Sequence, residues 1–213
     1  MSKLQEVADL TERGKAKLIG AAVQGALDEG TPAPEILNTM IDAMGVVGEK
    51  FKRNEIFVPE MLVAARAMKK GVEILKPHLA GDNTVSAGKL IIGTVAGDLH
   101  DIGKNLVAMM LESAGFEVID LGVDVSGRMF QRAIKEHPEA EIVCISSLLT
   151  TSMPGMRQIV KQLKRTRGFH MKIMVGGGSI TQEFADEIGA DAYTTNAVDA
   201  VDVAKRFVQH SDS

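Results

Sequence analysis

Short apolar segments alternate with helical segments from residue 89 onward, and this alternation constrains the fold more than any other feature. Strands are predicted at 89–95, 117–121, 141–146, 172–175 and 192–195. Helices are predicted near 102–114, 126–136, 153–166, 181–188 and 198–208. Strict alternation is typical of a parallel sheet covered by helices on both faces. Five strand–helix units predict a doubly wound, five-stranded parallel sheet of flavodoxin-like or Rossmann-like order.

The first 79 residues show apolar side chains at helical spacing and no predicted strand. The prolines in segment 30–34 separate a second helix from a third, and Pro59 suits the first turn of a fourth. Three- and four-residue steps between apolar positions place Met40, Met44 and Met68 in a core. We therefore predict a four-helix bundle over 1–80, a polar, glycine-containing linker over 81–88 and a sheet domain over 89–213.

Composition limits the classes of partner. The 213 residues include 24 Lys plus Arg and 28 Asp plus Glu, a net charge of −4, which argues against a nucleic-acid protein. We interpret the basic run 161–167 as a solvated helix face. The single cysteine, Cys144, excludes a disulfide framework and a Cys-based zinc site, and its apolar surroundings predict burial. With neither a signal peptide nor a membrane span apparent, we expect a cytoplasmic protein with no membrane partner.

Open parallel sheets bind ligands at the carboxyl ends of their strands. Three predicted loops at those ends contain side chains or bare backbone that can contact a ligand. The first contains Asp98 and His100, the second is the Ser- and Thr-rich segment 146–152, and the third is the glycine run 176–178. In an Asp-x-His pair, a carboxylate can hold one imidazole nitrogen while the other binds a metal. Gly103 leaves room for a large ligand. Taken alone, the first loop could equally be a structural turn.

Together the three loops resemble the cobalamin-binding domain of methionine synthase, methylmalonyl-CoA mutase and corrinoid methyltransferase proteins. The resemblance implies cobalamin or a related corrinoid bound base-off/His-on, with His100 replacing the cofactor's own base on cobalt. Asp98 then holds His100, and Ser152 extends the relay. The other cofactor-binding positions implied by the resemblance are Gly97, Leu99, Asp101, Ile102, Gly103, Ser146, Leu148, Thr150, Gly176, Gly177 and Ala197.

The helical half is similar to the bundle that precedes the sheet in methionine synthase and in corrinoid proteins of methyl-transfer systems. Segments 45–51 and 57–61 carry this part of the resemblance. It implies that Phe51, Val58 and Met61 cap the methyl face of the cofactor, although the same residues could be ordinary core. A cap must move aside for reaction, so we expect a domain motion at the 81–88 linker.

The resemblance implies a carrier subunit in which cobalt does the chemistry, and we assign no catalytic residue. As Co(I), the metal would accept a methyl group from a substrate-specific methyltransferase. Methyl–Co(III) would then serve a second, corrinoid:acceptor methyltransferase, and a reductive activase is a further candidate partner. Methylamines, methanol, betaine and methoxyaromatic compounds are all compatible donors.

Three alternatives stay open. The first is the cobalamin subunit of an adenosylcobalamin-dependent mutase, whose family does not usually carry this bundle. The second is a cobalamin-sensing regulator, which the small number of residues before the bundle and the −4 charge disfavour. The third is a cofactor-free signalling module, but the 146–152 loop lacks a phosphorylatable Asp. The remaining histidines, expected at the surface, are His78, His137, His170 and His210.

Overall fold

A computed structural model describes residues 2–79 and 86–209 of the chain. The chain folds into two compact units, residues 1–86 with 112–115 and residues 87–111 with 116–213. The predicted linker falls largely on 81–85, outside the described residues, as does His210. None of the helices within 2–79 and 86–209 combines the length and apolar character needed to cross a bilayer.

Four helices form the first unit: α1 (Lys3–Glu12), α2 (Ile19–Asp28), α3 (Ala33–Lys52) and α4 (Val58–Leu79). A capping box starts α1, because Ser2 Oγ accepts a hydrogen bond from Gln5 N at 3.2 Å and the Gln5 side chain accepts one from Ser2 N at 3.1 Å. Pro32 immediately precedes α3, and Pro59 is the second residue of α4, as predicted.

The helices of this unit pack α1 on α3, α2 on α4 and α3 on α4. Their buried side chains come from all four helices, at the three- and four-residue steps seen in the sequence. The three methionines predicted to pack, Met40, Met44 and Met68, are each buried. Methionine suits such positions because its flexible side chain fills irregular gaps between helices.

The second unit is a five-stranded, wholly parallel sheet with strand order β2-β1-β3-β4-β5. Its strands and helices alternate as predicted. The elements are β1 (Lys89–Thr94), α5 (Ile102–Ser113), β2 (Glu117–Asp120), α6 (Gly127–Glu136), β3 (Ile142–Ser146), α7 (Met153–Lys164), β4 (Lys172–Gly176), α8 (Gln182–Ile188), β5 (Ala192–Thr194) and α9 (Ala197–Gln209). The doubly wound fold and its flavodoxin-like order are confirmed.

Side chains of α6, α7 and α8 form one apolar core against the sheet, with Phe130, Met156 and Phe184 among its members. Right-handed crossovers account for this arrangement, because β3, β4 and β5 succeed one another in a single direction across the sheet. Cys144, in the middle of β3, is buried as predicted, and burial raises the pKa of its thiol to about 12.

The strand order reverses direction between β1 and β3, which are neighbours in the sheet. After β1 the chain returns to β2 on one side, and after β3 it continues to β4 on the other. The loops that follow β1 and β3 therefore part from each other and leave a crevice at the carboxyl ends of these strands. This is the position of the candidate site.

Candidate functional site

The loop after β1 turns sharply so that Asp98 points back into the fold. Gly97 adopts a φ of +81°, and the Asp98 N–H donates to the Val95 carbonyl at 3.1 Å, closing a tight turn. Val95 is itself tied into the sheet, since its N–H donates to Ser146 O at 3.0 Å. Further along, Thr94 Oγ1 donates to the His100 carbonyl at 3.1 Å. The backbone on both sides of Asp98 is thus fixed to β1.

Asp98 is fully buried, yet both of its carboxylate oxygens are satisfied by hydrogen bonds. Oδ2 accepts from Leu148 N at 2.7 Å, from Leu149 N at 3.2 Å and from Ser152 Oγ at 3.1 Å. Oδ1 accepts from the backbone N–H of His100 at 3.0 Å. A buried carboxylate with this many donors is stable in its charged form.

The pKa of Asp98 reflects two opposing effects. Burial alone raises the pKa of a carboxyl group, because it disfavours the charged form. The hydrogen bonds from the backbone of His100 and Leu148, from the His100 ring and from the backbone of Leu149 outweigh burial, so the pKa of Asp98 is well below its usual value. Asp98 is therefore a fixed negative charge across the physiological pH range.

His100 completes the arrangement at the surface. Its Nδ1 lies 2.7 Å from Asp98 Oδ1, and with an ionised Asp98 this nitrogen carries the proton and donates it to the carboxylate. The His100 side chain is 51% exposed. Within the described part of the chain, Nε2 forms no hydrogen bond. The lone pair of a neutral imidazole is thereby presented at Nε2, the state that binds a metal ion.

Exposed apolar side chains lie on the two loops that carry His100 and hold Asp98. Leu99 is 72% exposed and Ile102 is 85% exposed, while Leu148 and Leu149 in the loop after β3 are also exposed. Exposed apolar residues on the loops at the carboxyl ends of parallel strands are typical of a ligand site. Asp101 and Gly103, the other residues predicted in this loop, lie on the surface before and within the first turn of α5.

The loop after β3 differs from a simple coil in one respect. Residues Thr150–Ser152 form a single 3-10 turn immediately before α7, and this turn brings Ser152 back to Asp98. Ser146 is the last residue of β3, half-buried, and Thr150 is exposed.

The glycines after β4 approach the same loop. Gly177 has a φ of +122°, and a Cβ added there would overlap the Ser147 carbonyl oxygen. Gly176 ends β4 and pairs with Thr194 of β5. Ala197, the first residue of α9, is buried behind Asn196, whose Oδ1 caps the helix by accepting from Val198 N and Asp199 N.

Residues predicted on the helical unit have different exposures. Phe51 near the end of α3 is half-buried, Val58 at the start of α4 is exposed, and Met61 is fully buried. His78 and His170 are exposed and His137 is half-buried with its Nδ1 3.6 Å from Glu139, so none of these histidines has the buried carboxylate that holds His100.

Sequence reasoning missed several residues that support the loop. Ser147 is fully buried, and its Oγ lies 2.8 Å from Ser152 Oγ. Asp124 accepts a hydrogen bond from Gly97 N at 2.7 Å, and Lys104 is buried against Asp120. The adjacent pair Ser146-Ser147 was a visible signal, because alternation along a strand sends one of the two inward.

His100 is the side chain of this site that presents a free metal-binding atom. Over residues 2–79 and 86–209, no three His, Cys, Asp or Glu side chains cluster in a way that could hold a metal ion by themselves. A single imidazole can serve only a metal that brings most of its own ligands, as a metal in a macrocycle does.

Comparisons with known proteins agree with this description. Two family models, each described as a B12 binding domain, match residues 88–202 and residues 4–76. Dimethylamine corrinoid protein 1 of Methanosarcina mazei is 42% identical over 208 residues, which cover 96% of this chain and 95% of the relative. Trimethylamine corrinoid protein 2 of Methanosarcina acetivorans is 44% identical over 193 residues, 88% of each chain.

Two solved structures are also similar. A cobalamin-binding protein from Desulfitobacterium hafniense has a TM-score of 0.78 and 32% identity, covering 96% of this chain and 98% of the other. The methanol:cobalamin methyltransferase complex of Methanosarcina barkeri has a TM-score of 0.87 and 26% identity, covering 97% of this chain and 80% of the other. Fold and site thus define a protein of the B12-binding class. Within that class, the chain belongs to the corrinoid proteins of methyltransferase systems.

Proposed function

We propose that this chain binds a corrinoid through His100 and works as a methyl carrier between two methyltransferases. The observation that carries the proposal is the half-exposed His100, held at Nδ1 by the buried carboxylate of Asp98 with Nε2 left as a ligand. Relatives named as dimethylamine and trimethylamine corrinoid proteins support the same interpretation. The bound corrinoid supplies a cobalt ion that can take a methyl group and give it up again.

The residues fit such a cofactor. A corrin ring would bring most of the ligands of its metal, so His100 would be the one protein side chain needed to hold it. The exposed Leu99 and Ile102, on the same loop as His100, would give the ring apolar contacts. Binding base-off/His-on requires the cofactor's own base to leave the metal and its tail to lie elsewhere in the protein. We assign that tail to Ser146, Leu148, Thr150, Gly176, Gly177 and Ala197.

Asp98 controls the proton on His100. Because Asp98 stays ionised, it keeps a proton on Nδ1 and the lone pair on Nε2, the only arrangement in which a neutral ring can bind a metal at Nε2. Ser152 Oγ donates to the other carboxylate oxygen of Asp98. A proton gained by this relay on Nε2 would release His100 from a metal, since imidazolium has no free lone pair.

The partners follow from the carrier role. The relatives named for methylamines and the methanol:cobalamin methyltransferase complex support a substrate-specific methyltransferase as one partner. We propose a second, corrinoid:acceptor methyltransferase that removes the methyl group, and a reductive activase that restores the reactive cobalt state. A cytoplasmic setting, predicted from the single cysteine, is part of the proposal.

The experiment that tests ligand binding uses the purified chain and hydroxocobalamin. Mixing the two, removing free cofactor and recording bound cobalt and the visible spectrum should give a retained, histidine-ligated corrinoid. The His100→Ala variant should lose the spectrum of the ligated form while keeping part of the corrinoid through the tail site. His170→Ala, which alters an exposed histidine away from the site, is the matched control and should behave as the wild type.

Two results would contradict the proposal. Wild-type protein that retains no corrinoid would exclude any cobalamin-based function. An unchanged spectrum in His100→Ala would show that another group, or the cofactor's own base, occupies the lower face. Methyl transfer to and from purified partner methyltransferases then tests the carrier role itself.

A further inference from the structure

Lys104, in the first turn of α5, is an unusual residue to find in the interior. Its side chain is only 2% exposed, although lysine is almost never fully buried unless it is paired. Its partner Asp120 is 38% exposed, so the pair is buried on the lysine side and reaches the surface on the aspartate side. An apolar side chain of similar length would fill the same space without having to bring a charge out of water. A lysine at this position therefore calls for a role that an apolar contact would not fill.

The partner of Lys104 is the end of β2. Lys104 Nζ lies 2.5 Å from Asp120 Oδ2 and donates to Asn105 Oδ1 at 2.6 Å. Asp120 is the last residue of β2, and its Oδ1 accepts from Gly122 N at 2.8 Å. Asn105 in turn donates to Asp101 Oδ2 at 3.1 Å, next to His100. The pair thus connects the chain just after the His100 loop to the segment that follows β2.

The same segment holds the other end of the loop. Asp124 Oδ1 accepts from Gly97 N at 2.7 Å, and the Asp124 N–H donates to the Asp98 carbonyl at 3.1 Å. Gly122, between Asp120 and Asp124 in this segment, accepts a hydrogen bond at its carbonyl from the Thr94 N–H at 3.0 Å. Segment 120–124 therefore supports the loop before Asp98, through Asp124, and after His100, through Lys104.

We propose that Lys104 and Asp120 are positioning residues that fix the His100 loop for cobalt ligation from the side opposite to Ser152. Leu148, Leu149 and Ser152 hold the Asp98 carboxylate from the β3 side. Lys104 and Asp120 tie the start of α5, directly after the loop, to the end of β2. With both supports in place, the His100 ring has one orientation before any ligand arrives, and this reduces the cost of ordering it on binding. The inference rests on the proposed function, because it concerns the same ligand.

The test uses Lys104→Met, which removes the ammonium group and keeps the length of the side chain. Hydroxocobalamin should bind about tenfold more weakly, the usual scale for losing a residue that orients a metal ligand. The bound form should show a smaller histidine-ligated fraction in its visible spectrum. In the cofactor-free variant, hydrogen exchange should become faster at residues 97–103.

Lys89→Met is the matched control. Lys89 also forms ion pairs, to Glu117 of β2 at 2.9 Å and to Glu139 before β3 at 2.7 Å, but at the amino end of β1, away from the loop. Its spectrum and affinity should equal those of the wild type. Asp120→Asn breaks the same ion pair from the other side and should show the same weaker binding as Lys104→Met. It replaces Lys104→Met as the test if that variant folds poorly.

A double-mutant cycle with His100→Ala separates positioning from general stabilisation. If Lys104 acts through His100, Lys104→Met should cause no further loss of affinity once His100 is gone. An equal loss in both backgrounds, or no loss in either, would overturn the proposal. An unchanged spectrum in His100→Ala alone would instead remove the ligand assignment of the proposed function, and the positioning role would fail with it.

Discussion

At the scale of single residues, Asp98 shows how a charge can be buried to control a neighbour. Its carboxylate has no exposed surface, and five donor groups from two loops satisfy it. Four of these come from the protein frame and one from the His100 ring. The frame therefore keeps Asp98 ionised whether or not the ring moves, so the ring can leave without stranding an unsatisfied charge.

Replacing Asp98 with asparagine should destabilise the protein at neutral pH. The amide can neither carry the charge nor accept at both ends, so some of the donors around it lose their acceptor. We expect the free energy of unfolding to fall by about 3 kcal/mol, the scale of a hydrogen-bonded buried charge. Urea unfolding of the cofactor-free protein measures this, with Asp42→Asn on the exposed side of α3 as a control that should change little.

The effect of this substitution should also depend on pH. The folded-state pKa of Asp98 lies below its unfolded value, so its stabilising contribution is complete above the unfolded pKa, about 4. As the pH falls below that value the contribution is progressively lost. The wild type should therefore lose its advantage over Asp98→Asn in acid. A difference that stays constant from pH 7 to pH 3 would contradict this account.

Residues that interact with near neighbours in the sequence could be predicted from it. Residues whose partners are distant in the sequence could not. Asp98 and His100 lie two positions apart, so the pair is visible in the sequence, and the strand that precedes them gives their place at the sheet edge. The burial of Lys104 is not visible, because a lysine after Gly103 normally points to solvent. The Lys104 side chain can be buried because its ammonium group pairs with Asp120, 16 residues further along at the end of β2.

At the scale of elements, the end of β4 and the loop after β3 are packed backbone against backbone. Gly177 lies so close to the Ser147 carbonyl that no side chain fits between them. The Ser147 N–H also donates to Gly176 O at 3.1 Å. The absence of a side chain at 177, predicted as a surface for the cofactor tail, thus has a structural reason within the protein itself.

Gly177→Ala should consequently be destabilising in the absence of any cofactor. The added Cβ meets a backbone oxygen that cannot move away freely, and the φ of +122° is strained for alanine. We expect a loss of at least about 3 kcal/mol. Gly189→Ala separates the two causes, since Gly189 has a φ of +79° with open space around it and should cost only about 1–2 kcal/mol. Equal losses in thermal unfolding would refute the role of the Ser147 contact.

The helices and strands could be predicted from the sequence more accurately than the conformations of the loops that connect them. The central strands β1, β3 and β4 are short, largely apolar runs between turn residues, a signal that is independent of the rest of the fold. The 3-10 turn at Thr150–Ser152 gave no such signal, because three polar residues are equally typical of a loop. The bond from Ser152 to Asp98, 54 residues earlier, forms only after the sheet has brought the two loops together.

At the scale of the whole molecule, each of the two units has its own buried core and its own sequence pattern. The helical unit is built on three- and four-residue steps, and the sheet unit on short apolar strands. The ligand loop belongs to the sheet unit alone. A role for the helical unit in cofactor binding therefore has to be tested on the loaded protein.

If Phe51, Val58 and Met61 cap the corrinoid, hydroxocobalamin should slow amide exchange in segment 51–61 as well as in the 97–103 loop. The α1 helix provides the internal reference, where exchange should not change. Two exposed valines of α4 give a matched pair of variants. Val58→Ala should speed the release of bound corrinoid, because it removes apolar surface from the proposed cap, whereas Val63→Ala should not. Protection confined to the sheet unit, or equal release from both variants, would show that the helical unit leaves the cofactor uncovered.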